Sequence, residues 1–285
     1  MLVNNTPVEQ HQVDGRTVWV KREDLCCPYP GPSFSKMRGV VAHIRKRPEQ
    51  NIGVLDTFHS KAGWAVSWAC KQLGKQAIDF WPLYKADGSW GGADLQSWPP
   101  RQQQREARNL GALMVSLPAG RSAILYHRAK QWMVDHQDDQ YTMPNALKLP
   151  ESITENAAEA VRTIKANALP PRGWIVLSIS SGTVAAGVLQ GFHQCGVLGN
   201  YRVLLHHGYS RSSEATLKYM EKMSGVNLSS VVKFVDEGYD YKAAAKGVEA
   251  PFPCNDHYDL KAWKWLQSNH NQLDGGPITF WNIGD

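Results

Sequence analysis

The feature that most restricts this chain is a short apolar run that ends in small hydroxylated residues and restarts as a helix. Residues 174–179 read WIVLSI, Ser180-Ser181-Gly182-Thr183 follow, and 184–192 read VAAGVLQGF. An unbroken apolar strand needs cover on both faces, and a helix directly behind it is the pattern of a parallel α/β sheet. The Ser/Gly/Thr turn supplies free backbone N–H groups, hydroxyl donors and the positive end of a helix dipole at one point, which suits a phosphate monoester. No Gly-Lys-Ser/Thr ends it and it is not G-x-G-x-x-G, so it is neither a Walker loop nor a dinucleotide fingerprint. The competing reading is a tight turn whose small residues serve close packing.

The rest of the chain alternates in the same way. Strands are expected at 17–20, 52–58, 76–81, 112–117, 201–207, 231–235 and 277–283, from their β-rich or apolar runs. Helices are expected from about 33 to 47 and at 61–73, 101–110, 122–136, 153–168, 212–223 and 258–269. Gly238-Tyr239-Asp240-Tyr241 reads as a turn into a short helix, and residues 82–100 as a long Gly/Trp-rich loop. The resulting class is α/β, with parallel or mixed sheets flanked by helices.

A second chemical feature lies early. In residues 18–39, VWVKREDLCCPYPGPSFSKMRG, a charged cluster (Lys21-Arg22-Glu23-Asp24) and a Pro/Gly loop precede Lys36 at an expected helix start. The positive end of the helix dipole and the cation of Arg38 both favour a neutral amine there, the form that condenses with a carbonyl. A solvated surface lysine is the alternative.

Composition excludes several classes. The 285 residues, 42% hydrophobic and 20% charged, are ordinary globular composition, long enough for two lobes. No window approaches the ~18 uninterrupted apolar residues of a membrane span. The start, MLVNNTPVEQHQ, has no basic and apolar leader pattern, so a cytoplasmic protein is expected (host cytoplasm if the source is viral). Five cysteines without C-x-x-C spacing point to reduced thiols and no metal site. His206 and His207 are neighbours on a strand and face opposite ways. The +5 charge fits either a basic surface or attraction to an anionic ligand or nucleic acid, and the 11 tryptophans, with Trp64 and Trp68 four apart, fit core packing.

Taken together, the order KRED–loop–Lys36, His59-Ser60-Lys61-Ala62-Gly63, SSGT, GYDY and Tyr258-Asp259-Leu260-Lys261 resembles the fold type II, tryptophan-synthase-β-like enzymes that use pyridoxal 5′-phosphate. The nearest branch is the 1-aminocyclopropane-1-carboxylate deaminase and D-cysteine desulfhydrase group. The resemblance implies a large cofactor-binding domain from 1–44 and 141–285, a small inserted α/β domain at 45–140, a cofactor in the cleft between lobes, and a homodimer. It implies that Lys36 holds the aldehyde and moves the proton at Cα, and that Ser180, Ser181, Gly182 and Thr183 hold the phosphate. Ser60 would belong to the segment that meets the substrate carboxylate. Tyr258 would face the substrate, with Tyr239 or Tyr241 as a second tyrosine, and Asp259 would face the pyridine nitrogen. A carboxylate there keeps that nitrogen protonated and the ring a stronger electron sink.

Some residues depart from the family pattern. Lys61 stands where the family has asparagine, which implies a second amine beside the ring that could neutralise a phenolate or carboxylate or compete for the aldehyde, with Lys36 the favoured lysine and a surface lysine at a helix start the alternative for Lys61. The chain is short, the 82–100 loop has no family counterpart, and FWNIGD replaces a Gly-Gly terminus. The size, tryptophans and basic balance are similar to phage enzymes that process amino acids attached to thymine in DNA. Three readings follow. A lyase or deaminase breaks a Cα bond of a free amino acid; a related enzyme, such as a decarboxylase, acts on an amino acid borne by thymidine in DNA; or a binding protein keeps the fold without catalysis.

Overall fold

The chain begins with a hairpin, in which β1 (Val8–Val13) and β2 (Arg16–Arg22) pair antiparallel across Asp14-Gly15. It appears in a computed structural model that describes residues 1–57, 59–82, 101–118 and 121–285. Most of the Gly/Trp-rich loop expected at 82–100 therefore lies outside the described residues. The elements that follow are α1 (Met37–Arg45), β3 (Asn51–Leu55), α2 (Ala62–Leu73), β4 (Gln76–Pro82), α3 (Gln102–Asn109), β5 (Leu113–Leu117) and α4 (Ser122–His136). Then come β6 (Gln140–Thr142), α5 (Pro150–Lys165), β7 (Gly173–Ile179), α6 (Thr183–Gln194), β8 (Tyr201–His207), α7 (Ser213–Ser224), β9 (Val232–Val235), α8 (Asp259–Asn269) and β10 (Ile278–Asn282).

These elements form two compact units. The first comprises Met1–Pro28, Ser33–Gly39 and Pro150–Asp285, and the second Tyr29–Pro32 and Val40–Leu149. In the first, a six-stranded sheet runs β1-β2-β10-β7-β8-β9, parallel throughout except for the opening hairpin. Strand alternation fills both faces. Trp174 and Val176 of β7 join Val18, Phe280 and Trp263 on one side, while Ile175, Leu177 and Ile179 join Leu189, Phe192 and Leu205 on the other. Each such side chain contributes roughly 1.5–3 kcal/mol when fully buried. Helices α5 and α6 approach so closely that a Cβ on Gly191 would lie 2.5 Å from the Ala157 carbonyl oxygen.

The second unit is a four-stranded parallel sheet, β5-β4-β3-β6. Leu55, Ile78, Phe80 and Leu117 pack there beneath Leu125, Ala129 and Met133 of α4. Trp64 and Trp68 of α2 are buried, as their spacing predicts.

Several sequence expectations need correction. Strand β1 went unread because its centre, Glu9-Gln10-His11-Gln12, is polar at the sheet edge, and β6 because three residues carry no period. Helix α1 starts at Met37, not near residue 33. The short helix expected after Tyr241 does not form; the residues there make a turn and irregular chain. No helix among the described residues is long and apolar enough to cross a membrane.

Candidate active site

Ligand sites in parallel sheets form at the carboxyl ends of strands, and the first unit gathers its chemistry there. Strand β10 holds the lysine segment. Ser35 N–H donates to the Ile283 carbonyl at 2.9 Å, Asp285 N–H donates to the Ser33 carbonyl at 2.9 Å, and Phe34 bridges Gly284. These bonds fix Lys36, half-buried, directly ahead of the first turn of α1. The ending FWNIGD thus becomes an inner strand, with Phe280, Trp281 and Asn282 buried.

Strand β7 ends in the serine turn. Gly182 has φ +79°, a left-handed conformation that disfavours any residue with a Cβ, and it precedes the first residue of α6. Ser181 Oγ lies 2.9 Å from Thr183 Oγ1, which in turn lies 2.9 Å from the Tyr219 hydroxyl. Lys36 Nζ reaches Ser181 Oγ at 3.5 Å. The aldehyde and phosphate arms of pyridoxal phosphate leave adjacent ring carbons, so an amine 3.5 Å from a hydroxyl-rich turn ahead of a helix fits that group.

The charged cluster near Lys36 is buried structure. Lys21 Nζ donates to Glu159 at 2.8 Å and to the Thr6 carbonyl at 2.6 Å. Arg38 grips Glu23 at 3.0 and 3.1 Å and lies 3.5 Å from Glu159. Burial alone would raise the Glu159 carboxyl, but Lys21 and Arg38 outweigh it and hold the group at about 2. Arg38 is thus committed to this ion network through Glu23 and Glu159.

Around the turn, the loops after β7, β8 and β9 are tied together. Gly208 N–H donates to the Ile179 carbonyl, Ser210 N–H to the Tyr239 carbonyl, and Ser210 Oγ to Asp236. The buried amine of Lys261 donates to the Gly208 carbonyl and sits 4.5 Å over the Tyr239 ring; burial pulls its pKa down to about 8, against the opposing effect of Asp256. Tyr258 shares a hydrogen bond with Tyr241, and burial foremost raises its phenol well above the usual range, so it remains a neutral donor. Asp259, buried at the head of α8, accepts the Ile283 N–H at 3.1 Å. His206 and His207 have separate partners, Glu237 and Ser213.

Ser60 and Lys61 belong to the second unit. Ser60 Oγ accepts the Ala62 N–H at 3.0 Å and Lys61 Nζ lies 5.7 Å from the Trp64 ring centre. Beneath them lies a carboxyl pair that sequence reasoning missed. Asp56 and Asp79 are both fully buried, and Asp56 holds the Thr57 N–H and the Gln104 amide, each at 2.9 Å. Burial lifts Asp56 to about 7 and raises Asp79 strongly, with Asp56 adding to the latter. The sequence signal was an aspartate inside an apolar strand, Ile78-Asp79-Phe80. Tyr209 and Arg211 were also missed; their signal was position, just past the carboxyl end of a buried strand.

The chain is 62% identical over 288 residues, covering 100% of both chains, to a glycyl-dTMP PLP-dependent decarboxylase of Pseudomonas phage M6. Its fold is similar to that of an ACC deaminase homologue (TM-score 0.76, 18% identity, 98% of this chain and 89% of that one). It is also similar to Escherichia coli diaminopropionate ammonia lyase (TM-score 0.67, 14% identity, 99% and 83%). The model of the family described as "Pyridoxal-phosphate dependent enzyme" matches residues 1–235. With that match over most of its length, the chain belongs to the pyridoxal-phosphate dependent enzyme family.

Proposed function

We propose that this pyridoxal-phosphate dependent enzyme removes CO2 from an α-amino acid carried on a thymine nucleotide. The observation that carries the reading is the 62% identity, over the whole of both chains, to a phage enzyme named for glycyl-dTMP decarboxylation. The deaminase reading rests on fold likeness at 18% identity or below, which extends to fold alone.

In this reading Lys36 would hold the cofactor by its aldehyde, Ser180, Ser181, Gly182 and Thr183 would hold its phosphate, and Asp259 would face its pyridine nitrogen. The bound cofactor supplies an electron sink for the pair left when a bond to Cα breaks. The chain's residues do the remainder. Tyr258 and Tyr239 would flank the substrate as neutral phenols, and Lys36 Nζ would return a proton to Cα once CO2 has left. The substrate loses CO2 and gains one proton at carbon, and its amine remains.

The test is mass spectrometry of product from glycyl-dTMP and from free amino acids, with gas-phase CO2 and ammonia measured together. Release of CO2 from the nucleotide, lost in Lys36→Ala together with the visible absorbance band, is the expected result. Ammonia release or turnover of free amino acids alone would overturn it. Loss of the band in Lys61→Ala with retention in Lys36→Ala would reassign the lysine. Salt-dependent binding to DNA separates a substrate within DNA from a free nucleotide, since phosphate contacts give a steep slope.

A further inference from the structure

Tyr209 and Arg211 form a polar and aromatic ledge beside the serine turn, and the roles above use neither. Arg211 Nη1 donates to the Ser180 carbonyl at 2.7 Å and to the Tyr209 hydroxyl at 3.2 Å. Its Nε and Nη2 have no hydrogen-bond partner among the described residues, its Cζ lies 5.5 Å from the Tyr209 ring centre, and no carboxylate among those residues pairs with the guanidinium. Asp236, the acid on the adjoining loop, is engaged by the Ser210 hydroxyl and by the N–H groups of Arg211 and Gly238. Tyr209 stands edge-on to Tyr241, ring centres 5.1 Å apart, and its hydroxyl lies 3.5 Å from Ser180 Oγ. Both Tyr209 and Arg211 are half-buried, so each keeps a face toward solvent.

An unneutralised guanidinium with donors to spare is suited to a phosphate ester, which it can grip with two parallel bonds. A tyrosine pair beside it offers a face for a pyrimidine, because stacking needs only a π surface. We propose that Arg211 and Tyr209 form a nucleotide subsite, Arg211 taking the phosphate and Tyr209 the base of a thymine nucleotide. The inference rests on the reading of the substrate as an amino acid on such a nucleotide. It adds which residues select the nucleotide and why a free amino acid would be a poor substrate.

The shared chemistry, a phosphate ester, has two sources here, the substrate and the cofactor, and calorimetry distinguishes them. Holoenzyme is titrated with dTMP and with thymidine, and apoenzyme with pyridoxal phosphate, for wild type, Arg211→Gln, Arg211→Lys and Tyr209→Ala. Wild type should prefer dTMP over thymidine by about tenfold or more, consistent with a charge-assisted Arg–phosphate contact. In Arg211→Gln that ratio should fall towards one with cofactor affinity unchanged, and Arg211→Lys should retain part of it. Tyr209→Ala should weaken both ligands equally, by about tenfold. An unchanged dTMP/thymidine ratio in both Arg211 variants, or a loss confined to pyridoxal phosphate, would overturn the proposal.

The two readings fail separately. Arg211-dependent dTMP binding without CO2 release from glycyl-dTMP leaves the subsite and removes the decarboxylation. Release of CO2 with Arg211-independent dTMP binding does the reverse.

Discussion

Glu159 shows how a residue on one helix can fix the start of another. Its carboxylate accepts the N–H groups of Asn5 and Thr6 at 2.9 Å each, Lys21 Nζ at 2.8 Å and Arg162 Nε at 3.0 Å, and it lies 3.5 Å from Arg38. Arg38 is two residues from Lys36, so the carboxylate on α5 helps to set the start of α1. Glu159→Gln removes the charge but keeps the shape, leaving Lys21 buried without its closest counter-ion. The variant should lose about 3–5 kcal/mol of stability, read by urea denaturation. A loss below about 1 kcal/mol would show that Glu23 alone suffices for Lys21 and Arg38.

At the scale of elements, the serine turn does its work through backbone geometry. A Cβ on Gly182 would meet Met220 Cγ at 2.9 Å and Thr216 Cγ2 at 3.3 Å, and φ +79° is strained for any L side chain. Gly182→Ala should cost about 1–2 kcal/mol at the turn. Cofactor affinity should fall roughly tenfold, followed by absorbance during pyridoxal phosphate titration, because 1.4 kcal/mol is about a factor of ten in binding. Unchanged affinity would mean that the turn does not hold the phosphate. The strand-turn-helix form was legible because the apolar run, the small residues and the helix start are consecutive. The part of Tyr209 and Arg211 in the loop after β8 was not, because their contacts to Tyr241 and Ser180 form only when parallel strands lie side by side.

For the molecule as a whole, stability against pH has two limbs of opposite cause. Glu159 has its folded pKa depressed to about 2, from 4.5. Its contribution is complete above about pH 4.5 and is lost as pH falls towards 2. Asp56 and Asp79 have folded values raised, Asp56 to about 7. They bind more protons folded than unfolded above about pH 4, so stability declines as pH rises from there towards 7 and beyond. Asp79 makes no hydrogen bond to the described residues, so an amide there sacrifices none. Asp79→Asn should therefore match wild type near pH 4 and exceed it by roughly 1–3 kcal/mol near pH 8. Equal pH slopes for the two proteins in urea denaturation would contradict this.

The sequence by itself determined what neighbouring residues can settle: the α/β class, the serine turn before α6, the lysine ahead of α1, and amphipathic helices such as α2, whose Trp64 and Trp68 are buried. Each depends on a period or a turn within about ten residues, where backbone sterics and apolar spacing act without help from the rest of the chain. Tertiary structure alone decided that Lys36 Nζ comes within 3.5 Å of Ser181 Oγ, 145 residues away. It also converted the Lys-Arg-Glu-Asp cluster into a buried ion network, paired Asp56 with Asp79, and left Arg211 without a carboxylate partner among the described residues. Those outcomes depend on which strands become neighbours, and a charge has a partner or lacks one only once the sheet has formed.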